Sequence, residues 1–175
     1  MILPAQHIRK LSLDGWPVPP VGTAEAWEIG TIRRMVWPFE ERGIFQGMSY
    51  GLGPATYDCR IRQTLLIPPG GCALASTIEK VEMPYNVRAT VCDKSTWARK
   101  FLCVQNTKID PGFMGHITLE LTNHSGESIY VVEGMPIMQL EFCYLIENTE
   151  LPYKGKYNKA GDFAQAALDG KDIWD

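Results

Sequence analysis

The chain is expected to form one mainly β domain, a sandwich or barrel of short strands. Three observations carry that expectation. From Tyr57 onward, YDCRIRQTLLI, GCALASTIEKVEM, VRATVCD, FLCVQNTKI, HITLELTNH, SIYVVEG and MPIMQLEFCYL are short segments rich in β-branched and aromatic residues. Between them stand PPGG, MPYN, DPGF, NHSGE and EGMP, all built from the residues that turns demand. The 175 residues are 45 % hydrophobic, enough to bury one core and too few to argue for two.

The elements follow in order. In residues 4–11, PAQHIRKL, Ile8 and Leu11 lie three apart with Pro4 near the start, which predicts a short N-terminal helix. Residues 12–47 are rich in Pro, Gly and Trp and read as irregular, with one strand around 27–37. The strands listed above come next. STWARK, between two of them, reads as a single helical turn with Ser95 near its N-terminus. Residues 151–175 begin as a polar, mobile lid or tail and end in a weak, short C-terminal helix through DFAQAALDGK. No internal repeat or low-complexity tract interrupts residues 1–175, so they are taken as a single domain.

Composition narrows the function classes. A net charge of −3 and a pI near 5.6 leave no basic excess to neutralise a nucleic-acid backbone. No apolar run approaches the roughly 20 residues that span a bilayer. MILPAQHIRKL lacks the apolar stretch and cleavage site of a signal peptide, so a cytoplasmic protein is expected. Five cysteines (Cys59, Cys72, Cys92, Cys103 and Cys143) are scattered through apolar segments without a CxxC or HxE pair. They read as reduced, buried thiols, and zinc is not expected.

The segment 92–121, CDKSTWARKFLCVQNTKIDPGFMGHITLEL, concentrates the chemistry. Strand alternation places His116, Thr118 and Glu120 on one face. That face reads either as solvated surface or as a cavity wall whose carboxyl, raised in pKa, shuttles protons. Lys94, Ser95 and Arg99 flank Trp97. They read either as a surface turn anchored by a buried Trp or as an anion site, with Arg forking onto phosphate oxygens and Lys adding a point charge. Asp110 in KIDPGF suits a turn-capping role, and Lys154, Lys156 and Tyr157 suit a solvated linker or a phosphate-closing lid.

Together these residues resemble the dCTP deaminase family within the trimeric dUTPase superfamily. MILPAQHIRKL is similar to the family's opening helix, and SYGLGPATYDCRI to its YDxR-type strand. CDKSTWAR resembles the RSSLAR-type motif, IDPGFMGHITLEL the IDPGFxGxxTLEL strand pair, EGMPIMQLEF the GMxIxQLxF strand, and PYKGKY the lid motif. The resemblance implies a distorted jelly-roll or β-barrel protomer of the dUTPase-like type in a homotrimer with sites between subunits, acting on the nucleotides dCTP and dUTP. It implies conversion of dCTP and water to dUTP and ammonia without zinc, with Mg²⁺ bound through the triphosphate. Glu120 would be general base and acid, with Ser95 and Arg99 beside it as catalytic residues. Lys94, Thr107, Asp110, Lys156 and Tyr157 would bind substrate, Asp110 on the sugar side.

Three positions depart from the family pattern. Lys94 stands where the motif opens with Arg, so bidentate phosphate binding becomes point-charge binding. Only Lys108 separates Thr107 from Ile109, where typical members carry two more residues, which opens the base pocket to a 5-substituted cytosine. Ala160 stands where the lid usually carries Gln. A bifunctional deaminase and dUTPase that releases dUMP and pyrophosphate stays open as an alternative, as does a non-catalytic nucleotide-sensing trimer.

Overall fold

A computed structural model describes residues 1–20, 26–159 and 161–168. The N-terminal helix is present as α1 (Ala5–Leu13), with Pro4 extended at its N-cap, and Ile8 and Ser12 are its buried residues. Apart from residues 21–25, which lie outside the described residues, the next segment is more ordered than its composition suggests. It holds β1 (Trp16–Pro17), β2 (Ile32–Arg33), β3 (Val36–Trp37) and β4 (Arg42–Phe45) in place of the single strand expected around 27–37. The reason is pairing rather than propensity: β1 pairs with β2, β3 with a long central strand, and β4 with β5 (Met48–Leu52) across the two-residue turn of Gln46 and Gly47. Propensity and alternation show nothing over two residues; only the long-range partners specify such strands.

The remaining elements are β6 (Thr56–Arg60), β7 (Leu65–Ile67), β8 (Cys72–Glu82), β9 (Val87–Asp93), α2 (Ser95–Ala98), β10 (Leu102–Val104), β11 (Lys108–Ile109), β12 (Met114–Asn123), β13 (Ile129–Val131) and β14 (Pro136–Tyr144). They build a six-stranded sheet ordered β11-β9-β14-β6-β5-β4 and a four-stranded sheet ordered β10-β12-β8-β3. Two small ribbons, β1-β2 and β13-β7, complete the described strands. The pairing is antiparallel throughout, and neither large sheet closes on itself, so the protein is mainly β without a closed barrel.

Period-2 patterning seats the core. On β12, Ile117, Leu119 and Leu121 are buried, while His116, Thr118, Glu120 and Thr122 face outward and are only partly covered. On β14, Leu140 and Phe142 are buried in the same way. Trp97 of α2 is buried, and its indole N–H donates to the Pro136 carbonyl at 2.6 Å, which locks the segment 94–99 onto β14. Glu79, fully buried on β8, accepts from the Arg60 backbone N–H at 2.8 Å and its guanidinium at 2.7 Å. A buried carboxylate is tolerated only with such pairing, so the Arg of the YDxR-type strand has a structural partner.

Two expectations need correction. The second helix is α2 and not a C-terminal one: residues 162–168 of DFAQAALDGK are irregular, and the rest of that segment lies outside the described residues. Their polar groups bond to the body of the fold instead of to one another. Ser76 Oγ donates to the Asp162 carbonyl, the Gln165 N–H to Thr118 Oγ1, and the Leu168 N–H to the Tyr157 hydroxyl. A short helix has a costly nucleus and loses to such contacts. The cysteines are all free, but only Cys59 is buried; Cys72 is exposed, and the other three are half-buried at outward strand positions.

Candidate active site

The site begins with the alternation of β12. The register Glu120↔Leu74, with Gln105 N–H bonded to the Glu120 carbonyl, holds Glu120 between β8 and the chain leaving β10. Its side chain enters a cavity of about 440 Å³ whose walls include Thr107, Lys108, Asp110, Phe113, Tyr153 and Tyr157. The Glu120 Oε2 is buried and has no hydrogen-bond partner among the described residues. Burial raises its pKa above the ordinary glutamate value. A carboxyl in that condition exchanges a proton more readily near neutrality than a solvated or ion-paired one.

The Asp110-Pro111-Gly112-Phe113 turn contributes Asp110 and Phe113 to the cavity wall. The Phe113 N–H closes the turn onto the Asp110 carbonyl, and the Gly112 N–H bonds to the Met83 carbonyl. Gly112 has φ +86, and a Cβ there would come within 2.7 Å of Pro152 and 3.0 Å of the Tyr153 nitrogen. Glycine therefore admits the returning PYKGKY segment, whose Tyr153 N–H bonds to the Pro111 carbonyl at 2.8 Å. Tyr153 also packs on Phe113 with ring centroids 5.8 Å apart. Neither Tyr153 nor Phe113 is expected at the site from the sequence. Turn chemistry is legible in DPGF, but nothing local says that residues 152–153 dock on it.

His116 shares the cavity and the strand face with Glu120. Its Nδ1 lies 3.1 Å from the Thr77 carbonyl, and burial lowers its pKa below the usual histidine value. The single residue Lys108 between Thr107 and Ile109 is part of β11, paired with Thr90, and its ammonium donates to Thr90 Oγ1 at 3.0 Å. Tyr157 lines the cavity, and Lys156 lies 5.0 Å from the Tyr157 ring with its ammonium donating to the Leu168 carbonyl at 2.7 Å. Gln165 and Ala167 of the tail also border the cavity. Ala160 lies outside the described residues.

The other half of the expected set is elsewhere on the chain. Lys94 and Ser95 line a second, polar cavity of about 410 Å³ together with Arg42, Gly51, Asp58 and Gln139. The Lys94 ammonium is bound to Asp58 Oδ2 at 2.5 Å, and its side chain is only 9 % exposed. Arg99, exposed at the end of α2, borders neither cavity. Glu120, Thr107, Asp110 and Tyr157 therefore share one cavity within a chain, whereas Ser95, Arg99, Lys94 and Lys156 do not line it. Among the described residues no group of three or more His, Cys, Asp or Glu side chains is placed to hold a metal ion.

The fold is that of the dUTPases. EIAV dUTPase superposes with a TM-score of 0.52 at 23 % identity, over 70 % of this chain and 98 % of that one. The dUTPase of Staphylococcus bacteriophage 80alpha gives 0.51 at 16 % identity, over 66 % and 90 %. Within that class the sequence is more specific. The family model described as dCTP deaminase-like matches residues 51–145. A dCTP deaminase of Campylobacter curvus is 33 % identical over 171 residues, covering 77 % of this chain and 91 % of the relative. One from Campylobacter fetus is 35 % identical over 159 residues, covering 71 % and 84 %. The chain belongs to the dCTP deaminase-like family.

Proposed function

We propose that this protein hydrolyses dCTP to dUTP and ammonia, with Glu120 as the group that moves the proton. The observation that carries the reading is the Glu120 carboxyl: its Oε2 is buried without a hydrogen-bond partner among the described residues in an aromatic-walled cavity, and burial raises its pKa. The family supplies the substrate class, since its curated members in Campylobacter are dCTP deaminases.

The chemistry suits one carboxyl. Attack of water at C4 of cytosine requires a proton to leave the water, and departure of ammonia requires a proton at the exocyclic nitrogen. A carboxylate that accepts the first and returns it to the second serves both steps. Asp110 and Thr107 bind on the sugar and base side, while Lys156 and Tyr157 close over the substrate. Ser95 and Arg99, which do not line the Glu120 cavity within one chain, reach it from a neighbouring copy in a homotrimer, where they place the water and stabilise charge on the ring. Lys94 faces the phosphates from the same neighbour. Mg²⁺, which usually keeps several waters, would be held chiefly through the substrate phosphates and would offset the charge of the triphosphate.

The test is a substrate panel. Purified protein with Mg²⁺ is given dCTP, dUTP and 5-substituted dCTPs, and dUTP formation is followed by chromatography. Conversion of dCTP with dUTP left intact supports the reading. Hydrolysis of dUTP to dUMP with dCTP untouched contradicts it, and so does binding of dCTP without turnover.

A further inference from the structure

Outside the Glu120 cavity, the polar cavity beside Lys94 is the feature with the most unexplained chemistry. Four residues stand opposite one another across neighbouring strands: Arg42 on β4, Gly51 on β5, Asp58 on β6 and Gln139 on β14. Residues opposite one another in an antiparallel sheet project to the same face. This row is on the outer face, since its neighbours Tyr57, Cys59, Met138 and Leu140 are buried. All four residues line the cavity.

Gly51 leaves a gap in the row. Its φ is +90, and a Cβ there would sit 2.6 Å from the Glu40 carbonyl oxygen. The position therefore stays without a side chain, and the floor between Arg42 and Asp58 stays open. Strands lie about 4.8 Å apart, so the two flanking residues stand about 10 Å apart across that floor. One end of the gap is electrically quiet, because the Lys94 ammonium is held by Asp58 at 2.5 Å. Gln139 spends its amide N–H on the Asp93 carbonyl. The Arg42 side chain is exposed and makes no hydrogen bond or ion pair among the described residues. The net positive charge on the cavity therefore comes from one guanidinium, above an open floor, with the exposed Ser95 on its rim.

We propose that Arg42 binds the polyphosphate of the nucleotide, forking onto phosphate oxygens across the Gly51 gap, with the charge-neutral Lys94–Asp58 pair closing the far end. The proposal rests on the nucleotide reading of the preceding section and extends it to a residue outside segment 92–121. A guanidinium suits this place because it donates in a planar pair that matches two phosphate oxygens. An ammonium already paired with a carboxylate cannot replace it.

The test compares the native protein with Arg42→Ala and Arg42→Lys. With Mg²⁺ present, the KM for dCTP is expected to rise about 10- to 100-fold in Arg42→Ala, the size of one charge-assisted bidentate contact, with kcat changed less than about threefold. Arg42→Lys is expected to fall between. Calorimetry with inorganic tripolyphosphate reads the same site without turnover, and binding is expected in the native protein and weaker by a similar factor in Arg42→Ala. An unchanged KM in a folded Arg42→Ala protein, loss confined to kcat, or no tripolyphosphate binding by the native protein would each overturn the proposal. Absence of dUTP formation by the native protein instead contradicts the deaminase reading, and the tripolyphosphate measurement still decides on Arg42.

Discussion

Replacing Glu120 by Gln keeps the shape of the β12 wall and removes its ability to exchange a proton. The size of the loss follows from what surrounds it. His116 is four residues away on the same strand, about 14 Å at roughly 3.4 Å per residue. Thr118 is nearer, but its hydroxyl accepts the Gln165 N–H and does not ionise near neutrality. Neither of these can take over, and Asp110, the other carboxyl lining the cavity, is assigned to the sugar side. Acid–base catalysis contributes about 10²- to 10⁴-fold, and one carboxyl here serves both water attack and ammonia departure. Ammonia release is therefore expected to fall by at least about 10³-fold, about 4 kcal/mol at 1.36 kcal/mol per decade. Affinity for dCTP should stay within about threefold, because the amide of Glu120→Gln has the same shape as the carboxyl it replaces. The melting temperature should not drop at neutral pH, since a neutral amide is cheaper to bury than an unpartnered carboxylate. The assay is coupled ammonia detection beside calorimetric binding of dCTP. A variant that keeps more than a tenth of the native rate would place the base elsewhere.

Other outcomes follow from the same geometry. Burial raises the Glu120 pKa, so a general base there should put the acid limb of the kcat/KM profile above the ordinary glutamate range, and Glu120→Gln should erase that limb. The same shift links to stability: a raised carboxyl pKa contributes stability that is full below the unfolded value and is lost as pH rises through the folded one. Native protein should thus gain on Glu120→Gln in melting temperature on going from pH 7 to pH 4. Lys94→Ala should cost about 2–4 kcal/mol in chemical denaturation by stranding Asp58, and the double change Lys94→Ala with Asp58→Asn should recover more than half of it. A zinc-selective chelator should leave ammonia release intact, whereas EDTA should suppress it and added Mg²⁺ restore it.

Much of the fold is legible because its long strands follow period 2. HITLELTN announces both its buried residues and the outward position of Glu120. The DPGF turn and the helical turn at STWA are equally local signals. What local signals do not carry is long-range pairing. The two-residue strands β1, β2 and β3 exist because of partners far along the chain, and the weak helix in DFAQAALDGK loses to contacts with Ser76, Thr118 and Tyr157. The site divides along the same line. Glu120, Thr107, Asp110 and Tyr157 fall in one cavity, but Tyr153 and Phe113 meet only through tertiary docking. From its place beside Ser95 and Arg99, Lys94 reads as a free phosphate ligand. The pairing of Lys94 with Asp58, 36 residues earlier, is a matter of sheet packing that no spacing rule reveals. Arg42 gives no local signal for the same reason, since its significance lies in a row across four strands.

The central claim is that the cavity at Glu120 deaminates cytosine in dCTP. Its most direct test is the ratio of ammonia to pyrophosphate released when the native protein consumes dCTP with Mg²⁺. One ammonia per dCTP consumed, with no pyrophosphate, is the predicted result. Equal release of both would assign a second, phosphate-cleaving step to the same protein. Consumption of dCTP without ammonia, or no consumption at all, would contradict the account.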